Sequence, residues 1–73
     1  MVKLNTREET RLIRLKKVIQ LTGISRSYIY SLSRDGLFPA SVPLIPGGMA
    51  KAWVYAEVQD WLCERVAERD SED

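Results

Sequence analysis

Apolar positions recur with a helical period in two short segments near the start of the chain. Val18 and Thr22 share one face of a first predicted helix, residues 16–22. Gly23 follows the last periodic residue, at the position where many helices end in a left-handed conformation. Ser25 directly precedes the second periodic segment, where its hydroxyl can accept a hydrogen bond from an N–H of the first turn. The pattern therefore predicts two helices joined by a tight turn.

The second predicted helix has an apolar side and a polar side and ends at Asp35-Gly36. A 3.6-residue period directs four side chains toward the core: Ile24, Tyr28, Ile29 and Leu32. The other side, which we call the outer face, carries five polar or basic side chains: Arg26, Ser27, Tyr30, Ser31 and Arg34. We expect the outer face to be available for binding.

The next segment, residues 37–54, contains all three prolines of the chain and has no helical period. Residues 42–45 and 51–54 are two short extended segments on either side of Pro46-Gly47-Gly48-Met49, whose glycines allow a hairpin turn. Because Pro43 has no N–H to donate to a sheet, we expect a small hairpin at a sheet edge.

The helical period returns from Ala56 to about Arg69 and predicts a third helix. One stripe of this helix is apolar and consists of Val58, Trp61, Leu62 and Val66. Acidic side chains lie opposite or beside the stripe, at Glu57, Asp60, Glu64 and Glu68. We expect Trp61, and Trp53 just before the helix, to fill the core rather than to stack on a base.

The 73 residues are enough for one small domain only. We predict a flexible N-terminal arm (residues 1–11), a folded domain (residues 12–69) and an acidic tail (residues 70–73). Two helices, a tight turn and a following hairpin predict a mainly α fold with a small β-hairpin, the winged helix-turn-helix.

The formal net charge of +1 hides a strong segregation of charge. Residues 1–51 carry nine basic and three acidic side chains, a local charge of +6, whereas residues 52–73 carry two basic and seven acidic ones, a local charge of −5. A basic region of this kind attracts a polyanion, although surface charge also serves solubility alone.

Several function classes are disfavoured by what the sequence lacks. There is no histidine and only one cysteine, so a zinc finger, a disulfide and a histidine general base are excluded. Cys63 lies among carboxylates that disfavour the reactive thiolate. We therefore expect no enzyme activity, cofactor, metal or small-molecule substrate. Without a membrane-spanning run or a signal peptide, the chain is expected in the cytoplasm.

The helix-turn-helix pattern indicates binding to double-stranded DNA through the outer face. Arginine can pair with guanine through two hydrogen bonds, and hydroxyl groups suit phosphates or base edges. Candidates for backbone or wing contacts are Arg14, Lys16, Lys17, Met49 and Lys51. Two alternatives stay open: a pair of helices whose polar side only meets water, and a protein-interaction module of the anti-repressor type that uses the acidic third helix without touching DNA.

The chain resembles the AlpA family of prophage regulators and, more widely, the small MerR-like winged-helix domains of phage excisionases. The resemblance covers about residues 11–62, and its most specific parts are Thr22-Gly23-Ile24-Ser25-Arg26-Ser27 and Gly36-Leu37-Phe38-Pro39. It implies sequence-specific DNA binding by a recognition helix from Ser25 to Arg34. It also implies regulation of integrase or excision genes, or action as a recombination directionality factor, with integrase or further copies of the chain as possible partners.

The chain departs from this family pattern at two positions. Many relatives carry an arginine just after the wing turn, where Met49 stands here, and the basic residue is displaced to Lys51. Relatives usually have a small polar residue at the position of Tyr28.

Overall fold

Three helices and three short strands make up residues 10–71, the part of the chain that the computed structural model describes. In chain order they are β1 (Leu12–Ile13), α1 (Leu15–Thr22), α2 (Arg26–Arg34), β2 (Val42–Pro43), β3 (Lys51–Val54) and α3 (Tyr55–Ser71). The three helices and the β2–β3 hairpin confirm the predicted winged helix-turn-helix arrangement. Within residues 10–71 no helix is long and apolar enough to cross a membrane.

The strands form one antiparallel sheet in the order β1-β3-β2. β1 pairs with β3 through Ile13 and Trp53, and Pro43 of β2 lies opposite Lys51. β2 is an edge strand, as the proline predicts, but β1 was not predicted. Two residues are too few to show an alternating pattern, and their partners lie about 40 residues further along the chain.

Local hydrogen bonds fix the turn between α1 and α2. Gly23 has a φ of 74°, in the left-handed region, and its N–H donates to the Ile19 carbonyl at 2.7 Å. The Thr22 hydroxyl accepts a hydrogen bond from the Ile24 N–H at 3.1 Å. Ser25 caps α2, because its Oγ accepts a hydrogen bond from the Tyr28 N–H at 3.3 Å. The predicted glycine turn and serine cap are both confirmed.

The core lies where the sheet meets all three helices. Its buried side chains are Ile13, Val18, Ile29, Phe38, Ala52, Trp53 and Val58. Trp53 is 1% exposed, which confirms its predicted place in the core. Trp61 is partly buried at the margin, where it packs edge to face on Phe38 with ring centroids 4.8 Å apart. Its indole N–H donates to the Leu37 carbonyl at 2.8 Å, so α3 is tied to the loop after α2.

One expected core position, Tyr28, is wrong, and the apolar stripe of α3 extends beyond the core. Tyr28 is 59% exposed, because the buried side of α2 is centred on Ile29, and neighbouring helical residues point about 100° apart. Val66 is 50% exposed, since α3 continues beyond the core and its side chains are exposed from Cys63 onward. Periodicity alone cannot show where a helix leaves the body of the domain.

Contacts and helical structure extend to both ends of the described region. The Arg11 carbonyl accepts a hydrogen bond from the Tyr55 N–H at 2.7 Å, and its guanidinium carbon lies 4.5 Å from the centroid of the Tyr55 ring. Asp70 and Ser71 belong to α3. Residues 1–9 of the predicted arm and residues 72–73 of the predicted tail lie outside the described residues.

Candidate nucleic-acid interface

One cleft brings together residues from the start of α1, the start of α2 and the hairpin. Its volume is about 360 Å³, and we call it the basic cleft. It is lined by Arg14, Leu15, Lys16, Arg26, Tyr30, Met49, Lys51 and Trp53. Six of these are predicted site residues, although they are separated by up to 37 positions in the sequence.

A single hydrogen bond connects α1 to the hairpin. Arg14 is the N-cap residue of α1, and its Nε donates to the backbone carbonyl of Lys51 at 3.0 Å. β1, which directly precedes α1, pairs with β3, and this hydrogen bond adds a second link between the start of α1 and β3. Lys16, in the first turn of α1, and Lys51 are therefore brought to the same cleft.

Two aromatic rings that line the cleft pack against each other. Trp53 is almost fully buried, and its ring centroid lies 6.3 Å from that of Tyr30 at an interplanar angle of 52°. Tyr30 itself is 43% exposed, so its outer part faces solvent while its inner part packs on the core. This packing restricts the orientation of Tyr30 on the outer face of α2.

The cleft is strongly positive. Arg14, Lys16, Arg26 and Lys51 supply four cations, and among residues 10–71 no carboxylate lines it. Cationic side chains around a concave surface raise the local concentration of a polyanion and its rate of association.

The other predicted site residues lie outside the cleft. Ser27 and Arg34 are exposed on α2, Ser31 is half-buried there, and Lys17 is exposed on α1. The Arg34 Nη2 donates to the Ser31 Oγ at 3.4 Å, and its Nε lies 3.9 Å from a carboxylate oxygen of Asp35. These four residues extend the polar surface along the outside of the helix-turn-helix.

Sequence reasoning missed two residues of this surface. Leu15 lines the basic cleft, but it belongs neither to the polar outer face nor to the basic side chains from which the site was predicted. Tyr28 adds an exposed phenol beside Ser27, whereas its position on the helical wheel indicated the core. No local signal places Tyr28 at the surface, because it lies next to the buried Ile29 and the Ser25 cap fixes only where α2 begins.

A second, larger groove of about 900 Å³ runs between α3 and the loop after α2. We call it the acidic groove. Its apolar lining includes Leu37, Phe38 and Trp61. Its charged lining residues are three carboxylates and one cation: Glu57, Asp60, Glu64 and Arg65. It shares no lining residue with the basic cleft.

Comparison with known proteins identifies the family. Residues 11–66 match the family model described as the prophage CP4-57 regulatory protein (AlpA), which covers more than half of the chain. The chain belongs to the AlpA family. The predicted resemblance is thus confirmed, and the matched range contains the basic cleft, α1, α2 and the hairpin.

Two relatives illustrate the extent of the similarity. The chain is 44% identical over 61 residues to the uncharacterized protein ORF88 of Enterobacteria phage P4, covering 84% of this chain and 67% of that protein. It is 37% identical over 68 residues to the DNA-binding transcriptional activator AlpA of Escherichia coli strain K12, covering 85% of this chain and 94% of that protein. No solved structure matches this member of the AlpA family.

Proposed function

We propose that the chain is a sequence-specific double-stranded DNA-binding protein of a prophage or integrative element. The observation that carries this proposal is the basic cleft. Four cations, from the N-cap and first turn of α1, from α2 and from β3, meet there beside the outer face of the second helix of a helix-turn-helix. In such a motif the second helix enters the major groove, and residues near its start reach the bases. Similarity to a relative named as a DNA-binding transcriptional activator supports the same function.

Arg26 is the residue we assign to base recognition. It is the first residue of α2, is exposed, and lines the cleft. Its guanidinium can donate two hydrogen bonds to O6 and N7 of one guanine. Tyr30 follows one turn later, and we assign it with Ser27, Ser31 and Arg34 to base edges or phosphates along the same groove.

The remaining candidates hold the DNA backbone. Lys16, Lys17 and Lys51 present ammonium groups that suit phosphates, and Arg14 adds a guanidinium at the junction of α1 and the hairpin. Phosphate contacts of this kind set the position of α2 on the duplex but carry no sequence information. Met49, on the wing, lies beside these cations in the basic cleft.

We infer that binding regulates transcription of integrase or excision genes, or directs recombination at an attachment site. Both tasks need the same DNA-reading surface and neither needs catalysis by this chain. Because one module of this size covers only roughly 600 to 1,000 Å² on DNA, we expect several copies on adjacent sites or a partner such as integrase. The protein would then work in the cytoplasm, where the DNA is.

Footprinting tests this proposal. The purified chain is applied to two DNA fragments of its element, one with the integrase promoter and one with the attachment site, and to a random fragment of equal length. Protection at the promoter supports a transcriptional regulator, and protection at the attachment site supports a directionality factor. Arg26→Ala should remove either footprint. Equal, non-specific coverage of all three fragments, or none, would contradict sequence-specific binding.

The acidic groove favours one alternative, a protein-interaction module of the anti-repressor type. Its apolar lining and three carboxylates suit a basic protein segment. This alternative predicts that the chain does not bind DNA even at low salt, and the footprinting experiment separates it from the proposed function.

A further inference from the structure

The tip of the β2–β3 hairpin exposes three large apolar side chains. Leu44 is 38% exposed, Ile45 59% and Met49 89%, and all three lie within the seven residues that join the two strands. Each exposed apolar residue forgoes the gain from burial, and a cluster of them on one loop is typical of a binding surface.

The backbone of this tip is held in a defined shape. The Leu44 N–H donates to the Ala50 carbonyl at 2.9 Å, and the Gly48 N–H donates to the Ile45 carbonyl at 2.8 Å. The second bond closes a four-residue turn with Pro46 in its second position and Gly47, at a φ of 77°, in its third, the signature of a type II turn. A tip already held in shape loses less conformational entropy when it binds.

The surroundings of Met49 indicate the chemistry of its partner. Met49 lines the basic cleft together with four cations: Arg14, Lys16, Arg26 and Lys51. An apolar protein surface would have to desolvate these cations, whereas nucleic acid offers them phosphates. When these cations contact phosphates, the apolar side chain of Met49 between them faces the sugars and base edges of the DNA.

We propose that the hairpin tip is an apolar wedge, led by Met49, that enters the minor groove and partly unstacks a base step. This inference rests on the proposed function and adds a bend in the DNA to it. With α2 in the major groove, a hairpin that lines the same cleft is placed to reach the neighbouring minor groove. Methionine, leucine, isoleucine and proline are residues that other minor-groove proteins insert between base steps, with kinks of about 20 to 90°.

The test uses a duplex that the parent chain selects from a random pool, with 2-aminopurine placed at one adenine position per duplex. The fluorescence of this base rises when it unstacks. The parent should raise it several-fold at one step beside the site. Met49→Gln keeps the length of the side chain but makes it polar, and should abolish this rise and weaken binding about tenfold with an unchanged salt slope.

Two further variants sharpen the test. Val66→Ala removes an apolar side chain that is also exposed but lies on α3, so it should unstack the base as the parent does. Met49→Lys should also lose the fluorescence rise. If Met49→Lys instead binds at least as tightly as the parent, with a salt slope steeper by about one unit, this position contacts phosphate and the wedge is wrong.

Other outcomes distinguish the wedge from the proposed function. If the parent binds the selected duplex without a fluorescence rise at any position, the wedge is overturned and DNA binding stands. If Met49→Gln retains single-site affinity and unstacking but loses cooperative occupancy of longer DNA, the tip contacts a second copy, which also overturns the wedge. If the parent selects no duplex, the proposed function itself fails. Circular dichroism of Met49→Gln should match the parent, because Met49 is 89% exposed.

Discussion

The two concave regions of this domain differ in both size and charge. The acidic groove is larger, at about 900 Å³, and its lining carries three carboxylates against one cation, Arg65, so its charge is negative. The basic cleft is smaller, at about 360 Å³, and combines four cations with no carboxylate among residues 10–71. A polyanion is repelled by the first region and attracted by the second. The charge of the lining, rather than its depth, therefore indicates where the proposed DNA-binding surface lies.

Both regions depend on the same small core. Trp53 lines the basic cleft, while Phe38 packs on Trp61 beside the acidic groove, and both Trp53 and Phe38 belong to the buried cluster. A change in the core should affect both regions, whereas a change at the surface should affect only one.

The largest effect is expected for Trp53→Ala. Truncation of a fully buried aromatic side chain costs about 3 to 5 kcal/mol, a large part of the stability of a domain with one small core. Urea denaturation followed by circular dichroism should show a midpoint far below that of the parent, or no folded baseline. Trp53→Phe keeps most of the apolar volume and should lose much less stability than Trp53→Ala. Unfolding of Trp53→Ala at the parental midpoint would refute the shared core.

Arg26→Ala should have the largest effect that is confined to the basic cleft. Loss of a paired guanine contact should weaken DNA binding by about 1 to 3 kcal/mol and relax the preference at one base pair. Fluorescence anisotropy with single-base variants of the site measures both effects. Arg69→Ala is the matched control, because Arg69 is exposed on α3 and pairs with Asp70. Parental affinity of Arg26→Ala at both low and moderate salt would remove Arg26 from the recognition surface.

A smaller effect is expected for Lys17→Ala, since Lys17 lies on α1 outside the cleft. We expect weaker binding to all sequences alike and a salt slope reduced by about one unit. The same titration on specific and random duplexes measures this. A change in base preference instead would move Lys17 from backbone contact to base recognition.

The smallest effect is expected in the acidic groove. Glu64→Gln removes one repulsive charge, which should tighten DNA binding by at most a few tenths of a kcal/mol at low salt and by less at higher salt. Anisotropy at two salt concentrations measures the trend. Clear weakening by Glu64→Gln would place α3 at the DNA.

The elements that could be predicted are those with local causes. Gly23 and Ser25 set the turn between α1 and α2 through hydrogen bonds to residues within four positions. The strand Leu12–Ile13 has no local signal, because it exists only through pairing with Trp53 and Val54. The exposure of Val66 was missed for a similar reason, since it depends on where the rest of the domain ends.

The same distinction applies to the candidate site. The outer face of α2 follows from helical spacing, so Arg26 and Tyr30 could be named from the sequence. Their meeting with Lys51 could not, because it depends on the packing of β3 on the core, where Trp53 of β3 lies beside Tyr30. Tyr28 lies near the boundary between the two sides of α2. A helical wheel drawn without the packing partners does not show whether a side chain at this boundary is buried or exposed.

A salt titration of the parent chain with duplex DNA tests the central claim most directly. If the four cations assigned to the DNA backbone, Arg14, Lys16, Lys17 and Lys51, each neutralise a phosphate, the logarithm of the association constant should fall with the logarithm of salt concentration at a slope of about −4. Anisotropy of a labelled duplex over a range of salt concentrations gives this slope. Binding at low salt with a steep negative slope is the predicted result. No binding at the lowest salt, or an affinity that salt leaves unchanged, would contradict a DNA-binding role for the basic cleft.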